Sequence, residues 1–177
     1  MAKQQYNSVK ILETERTILR EVTTDDAEFI LGLLNESSFI KYIGDRNVRT
    51  IRQAREYIES RFTESYKQFG FGMWAVELKE INQTVGICGF VKRDSLPDAD
   101  IGFAFTPQFE RKGFGFETAA AVLRYGRDNL NLRRVLAITS QENESSIKLL
   151  EKLGFKFERL IEMPNDAEKL KLFSSEV

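Results

Sequence analysis

Between Phe105 and Phe116 the chain passes from strand-like to helix-like chemistry through Thr106-Pro107-Gln108-Phe109-Glu110-Arg111-Lys112-Gly113-Phe114-Gly115. Pro107 lacks an N–H for the ladder and so ends the strand before it. Gly113 and Gly115 let the main chain come close to a ligand. The helix that follows opens with unsatisfied N–H groups and the positive end of its dipole. Arg111 and Lys112 add two full charges. Strand, basic glycine-bearing turn and helix, in that order, make a cradle for a phosphate-bearing cofactor. Taken alone, the segment also fits a plain glycine-rich turn into a helix. Two familiar phosphate loops do not fit. A Rossmann loop needs a third glycine where Thr118 stands and an acidic residue near Thr139 and Ser140. A P-loop needs Gly-Lys-Ser/Thr at the helix start, which is absent.

The flanks of this turn differ in pattern. Upstream, Thr17 to Val22 reads as a first strand, and Thr23-Thr24-Asp25-Asp26 supplies N-cap chemistry for a helix through Leu34. A short helix follows from Glu36 to Tyr42, then a longer one from about Thr50 to Tyr66 with Ile51, Ala54, Ile58 and Phe62 near one face. Phe69-Gly70-Phe71-Gly72 interrupts it. Strands are expected at Met73 to Leu78, Thr84 to Lys92 and Asp100 to Phe105. Downstream, helix alternates with strand. Phe116 to Leu130 is a helix with a buried stripe of Phe116, Ala119, Ala120, Leu123 and Gly126. Arg133 to Thr139 is a strand, and Asn143 to Leu153 a helix with Gly154 at its left-handed cap. Phe155 to Ile161 and Lys169 to Phe173 close the sheet. The expected class is mixed α/β (α+β). Its sheet has about seven strands, antiparallel in the first half and strand-helix-strand in the second, with about four flanking helices. One domain is expected over residues 1–177, with its core at about 12–173.

Composition narrows the function. A chain of 177 residues with 42% apolar and 30% charged residues suits one globular domain. A net charge of -1 gives no long-range pull toward nucleic acid or an anionic membrane. Cys88 is the single cysteine, which excludes an internal disulfide and a multi-cysteine metal site. Its apolar surroundings, Val85 to Phe90, predict an inert buried thiol. The absence of histidine excludes hydrolases that use an imidazole base and removes the commonest zinc ligand, so no metal is expected. Met1 to Lys10 is polar and lacks a signal-peptide core, and no stretch approaches about 20 apolar residues. A cytoplasmic bacterial-type enzyme is the expectation.

Two longer motifs add specificity. Pro107 through Thr118 resembles the acyl-coenzyme A loop of the GNAT superfamily, Q/R-x-x-G-x-G/A at the mouth of a helix. Asn143 through Phe155 resembles its second signature, N-x-x-S-x-x-L-x-x-x-x-G-F. Glu15-Arg16-Thr17-Ile18-Leu19-Arg20 and Gly72-Met73-Trp74-Ala75-Val76 resemble the Rim-type branch, which includes acetyltransferases of ribosomal-protein N-termini. The likeness runs from Leu12 to about Phe173. It implies direct transfer of acetyl from acetyl-coenzyme A to a primary amine, with no acetyl-enzyme. It further implies that the strand Ile101 to Thr106 splays from the strand around Val135 to Ile138. The pantetheine arm would then lie at Phe103, Ala104 and Phe105. The pyrophosphate would lie at Arg111, Lys112, Gly113, Phe114, Gly115 and Phe116. Ser146 matches a serine read as the acid that protonates the departing sulfur. Asn143 stands beside the arm, as a ligand, a helix N-cap or both.

The chain departs from the pattern at three places. Glu110 replaces glutamine or arginine, and is expected to point away from a pyrophosphate. Arg111 stands where the branch often has glycine, and Leu150 where many members carry an acidic tyrosine. For the base, Asp100 and Glu77 are candidates, though each reads more readily as a solvated edge carboxylate, and a water chain is a third route. Trp74, Phe71 and Phe103 shape either the amine site or the core. The acceptor is a peptide or protein N-terminus, or a small amine such as an amino acid, polyamine or antibiotic. An open groove favours the first, a closed acidic pocket the second. A non-catalytic acyl-coenzyme A-binding module and a plain scaffold are the competing classes. Monomer and homodimer both fit.

Overall fold

The computed structural model describes residues 8–164 and 166–177. Most of the polar Met1 to Lys10 stretch, residues 1–7, lies outside the described residues. Eight strands form one sheet: β1 Lys10–Glu13, β2 Thr17–Glu21, β3 Met73–Leu78, β4 Gln83–Val91, β5 Asp100–Phe105, β6 Arg134–Thr139, β7 Lys156–Ile161 and β8 Leu170–Glu176. Their order is β1-β2-β3-β4-β5-β6-β8-β7. Only β5 and β6 run parallel; every other neighbouring pair is antiparallel. The sheet therefore has eight strands, not seven. β1 escaped the sequence reading because its four residues are exposed or half-buried and show no alternation. The second half alternates strand with helix as expected, with one feature of strand order added. β8 inserts antiparallel between β6 and β7, so among the described residues the only parallel crossover is β5–helix–β6.

The helices are α1 Ala27–Leu34, α2 Ser37–Tyr42, α3 Ile51–Tyr57, α4 Glu64–Phe69, α5 Phe114–Leu130 and α6 Glu144–Lys152. α3 runs into α4 through a π-helical turn, Ile58–Thr63, so the described residues make five helical bodies instead of four. This long helix continues past Tyr66 to Phe69, where Gly70 closes it at a φ of 73°. Ala54, Ile58 and Phe62 are buried as the spacing predicts, but Ile51 is exposed on the first turn. Tyr66 then anchors the helix, its hydroxyl donating to the Met73 carbonyl and accepting from the Val22 N–H.

α1 and α3 cover one face of the sheet with a core that includes Ile30, Leu33, Ala54 and Ile58. α5 covers the other, against Trp74, Phe90, Ile101 and Leu150. α5 begins two residues earlier than expected, at Phe114, and Ala119, Leu123 and Gly126 of the expected stripe are buried. Phe114, Thr118, Val122 and Gly126, an i, i+4 row, are buried, whereas Phe116 and Ala120 are only half-buried. Gly126 permits the approach, since a Cβ there would stand 2.6 Å from Phe90 Cζ. Cys88 is wholly buried, as expected, and burial pushes its thiol up to about 12. Among the described residues no helix is long and apolar enough to cross a membrane. Nor do they contain a cluster of three or more His, Cys, Asp or Glu able to hold a metal ion.

Candidate functional site

β5 and β6 meet at a single register position, Asp100 opposite Leu136, where the Leu136 N–H donates to the Ala99 carbonyl at 3.0 Å. Beyond that apex the strands part. Thr106 N–H donates to Val85 on the β4 side, and Ala99 bonds on the β6 side. Polar groups of successive strand residues point to opposite sides, so those of Ile101, Phe103 and Phe105 turn toward the gap. Side chains alternate likewise. Ile101, Phe103 and Phe105 pack toward α5, while Ala104 packs toward α1 and α3. Asp100 shares the Ala104 face.

At the open end of the gap lies the basic turn. Gly113 has a φ of 83° and Arg111 a φ of 57°, so two left-handed residues bend the chain just before α5. Arg111, Lys112 and Glu110 are exposed. The Phe114 ring is buried beneath the Arg16 guanidinium, 4.3 Å from its centroid, and the Phe116 ring lies under Lys152 at 4.4 Å. Phe116 also borders a separate shallow groove of about 290 Å³ with Leu123, Arg124 and Val177. The turn is braced from outside. Arg16, between β1 and β2, bonds Glu117 Oε2 at 2.7 Å and the Lys112 carbonyl at 3.1 Å. Glu117 Oε1 also accepts from Thr14 Oγ1 and from the Arg16 N–H. Burial favours the neutral Glu117 acid, but these donors outweigh it and hold the carboxyl below its ordinary range.

A cleft of about 1190 Å³ opens along the gap, lined by Phe103, Ala104, Asn143, Ser146 and Asp100 and by residues of α2–α4 and the 163–170 segment. Asn143 is the N-cap of α6, its Oδ1 accepting from the Ser146 N–H at 3.2 Å. Ser146 is half-buried, and one turn on, Leu150 fills the tyrosine position as a buried part of the cleft floor. Phe105 and residues 111–116 are not among the residues that line the cleft.

The two base candidates separate here, and neither is a solvated edge carboxylate. Glu77 bonds Arg20, which also holds Asp26 in a bidentate pair, so it belongs to a buried network away from the cleft. Asp100 is 2% exposed, lines the cleft and bonds Arg93 at 2.9 Å. Burial pushes its carboxyl up to about 6 against the pull of Arg93. Trp74 is core, packed edge-on to Phe90 and Tyr125, while Phe103 lines the cleft. Sequence reasoning passed over Ser140. Its hydroxyl, at the end of β6 on the cleft, is buried and has no hydrogen-bond partner among the described residues. A buried orphan in a slot between parting strands fits a polar arm as its partner. No spacing rule marks such a residue, because its orphan state arises from the splay.

A family model described as an acetyltransferase (GNAT) domain matches residues 16–156. An uncharacterized N-acetyltransferase of Bacillus subtilis, YoaA, is 34% identical over 152 residues, 85% of each chain. The [ribosomal protein uS5]-alanine N-acetyltransferase of Escherichia coli is 31% identical over 108 residues, 60% of this chain and 54% of that one. A solved structure of RimL, a ribosomal L7/L12 alpha-N-protein acetyltransferase in complex with coenzyme A, superposes with a TM-score of 0.80 at 15% identity. It covers 97% of this chain and 98% of its own.

Proposed function

This chain belongs to the GNAT family of acetyl-coenzyme A-dependent N-acetyltransferases, and from that premise we propose that its acceptor is the α-amine of a peptide or protein N-terminus. The observation that carries this reading is the character of the cleft. It is large, open and continuous with the gap between β5 and β6, and of the five carboxylates that line it only Asp166 has no ion pair among the described residues. The other four, Asp45, Glu56, Glu64 and Asp100, are ion-paired to Arg49, Arg52, Lys67 and Arg93, so a single open carboxylate faces two unpaired arginines. Arg46 and Arg61 line it with no ion pair among the described residues. Such a surface disfavours a polyamine and accommodates a chain with one terminal amine and backbone carbonyls.

The residues divide the chemistry. Acetyl-coenzyme A, when bound, supplies the acetyl group as a thioester. Main-chain N–H groups before α5, with Arg111 and Lys112, hold its phosphates, as helix N-termini do. Ser140 Oγ and the gap-facing polar groups of β5 hold its arm, and a β5 N–H polarises the carbonyl. Asp100 takes the proton from the amine. An α-amine has a pKa of about 8 against about 10.4 for a lysine-type amine, so a carboxylate near 6 is much better matched to the former. Ser146 Oγ, on the cleft side of α6, donates toward the departing sulfur.

The test is an acceptor screen with free-thiol release and mass spectrometry of products. Peptides with free N-termini should turn over, N-terminally blocked peptides should not, and spermidine should be poor. Turnover on spermidine but on no peptide would overturn the acceptor assignment. Coenzyme A binding without turnover on any amine would favour a non-catalytic module.

A further inference from the structure

We infer that Arg16, on the turn between β1 and β2, is a positioning residue for the phosphate site, and that its task is to neutralise Glu117 and aim the Gly113 N–H outward. The inference rests on the reading that phosphates sit at the turn before α5.

Glu117 poses the problem. A carboxylate in the first turn of α5 stands where an anionic ligand would exploit the same helix end. Unpaired, it would repel the phosphates and compete for the main-chain donors. The structure instead turns it toward the β1–β2 side, where Arg16 Nε, the Arg16 N–H and the Thr14 hydroxyl all donate to it. Arg16 then uses a second nitrogen. Its Nη1 donates to the Lys112 carbonyl. In a planar trans peptide the C=O and the next N–H point in opposite directions. Drawing the Lys112 carbonyl toward Arg16 therefore turns the Gly113 N–H to the other side of the chain, where a ligand can reach it. The third nitrogen, Nη2, lies against Gly113, 3.2 Å from where a Cβ would stand. The guanidinium plane covers the Phe114 ring. One side chain from nearly a hundred residues upstream thus touches four consecutive features of the turn and helix start: Lys112, Gly113, Phe114 and Glu117. The fork geometry suits arginine and not lysine, since three separate nitrogens are used.

The experiment compares the full-length protein with Arg16→Gln, Arg16→Lys and the double variant Arg16→Gln/Glu117→Gln. Coenzyme A dissociation constants come from calorimetry, and kcat/KM is measured with S-acetyl-pantetheine, a donor without the phosphates. Arg16→Gln should weaken coenzyme A binding about 10-fold or more, yet leave kcat/KM with the phosphate-free donor within about twofold of wild type. Arg16→Lys should fall between the two, and the double variant should bind coenzyme A more tightly than Arg16→Gln alone, because the unpaired carboxylate is gone. Three results overturn the inference: an unchanged coenzyme A constant in Arg16→Gln, equal losses with both donors, or a double variant no better than the single. A wild-type protein that binds S-acetyl-pantetheine and coenzyme A equally well would sink the phosphate-site reading itself, before Arg16 enters.

Discussion

The two ends of the cleft are assembled in opposite ways. At the proposed phosphate end, recognition would fall to main-chain groups of a short contiguous run, Arg111 to Glu117, fixed by left-handed residues and by the Arg16 brace. At the proposed acceptor end it would fall to side chains from four separate segments that line the cleft: the loop before α3, the π-helical turn, the end of β4 and the start of β5. Main-chain donors on a helix end tolerate few changes, because glycine geometry and the helix axis set them together. Exposed side chains such as Arg46 and Arg61 can be exchanged one at a time at little cost to the fold. A common cosubstrate and a changeable acceptor are the expected outcome of that difference.

Substitutions at the two ends should therefore separate cleanly. The largest effect is expected from Gly113→Glu, which puts a charge in the cradle and forces a side chain onto a φ of 83°. Coenzyme A affinity should fall about 100-fold or more by calorimetry, and an unchanged constant would remove the turn from the site. Next is Asp100→Asn, which should lower kcat by about 100-fold or more with coenzyme A affinity intact. The wild-type pH profile belongs to the same test. Only ionised Asp100 can accept a proton, so kcat/KM should rise with pH through about 6 and then level off. Removing the Arg93 charge deletes the pull that opposes burial, so Arg93→Gln should move that limb upward. A limb that stays in place would detach Asp100 from catalysis. Ser146→Ala should cost about 10-fold in kcat with no change in cofactor affinity, since a thiol of pKa about 8.5 already leaves readily. Equal turnover would take Ser146 out of the mechanism. The smallest effect is expected from Arg61→Ser. Acceptor KM should change by about threefold, in keeping with an exposed charge, while the coenzyme A constant stays fixed. Loss of coenzyme A binding in that variant would break the division between the two ends.

What could be read along the chain follows the same division. Pro107, Gly113 and the asparagine-capped start of α6 act through local backbone geometry, so their neighbours in sequence suffice to reveal them. Misreadings arose where packing overrides local preference. β1 is held by pairing to β2 and not by its own pattern. Phe116 looked like part of the core stripe, but the residues packed beneath α5 are the Phe114, Thr118, Val122 and Gly126 row, and Phe116 is left half-buried under Lys152. Asp100 looked like a solvated carboxylate at a strand edge, and only the closure of β6 and the cleft walls buries it. Ser140 and Arg16 carry no local signature of their roles at all. One is defined by strands that part, the other by contact with residues about a hundred positions away.

The sequence alone determined the order of strand, basic turn and helix, and with it the place proposed to hold an anion. Those features depend on φ preferences, missing N–H groups and helix ends, which are properties of adjacent residues. Tertiary structure decided which carboxylate lies at the apex of the gap, which charges stay unpaired along the cleft, and what steadies the turn. Burial and ion pairing set those properties, and both depend on which distant segments the sheet brings side by side.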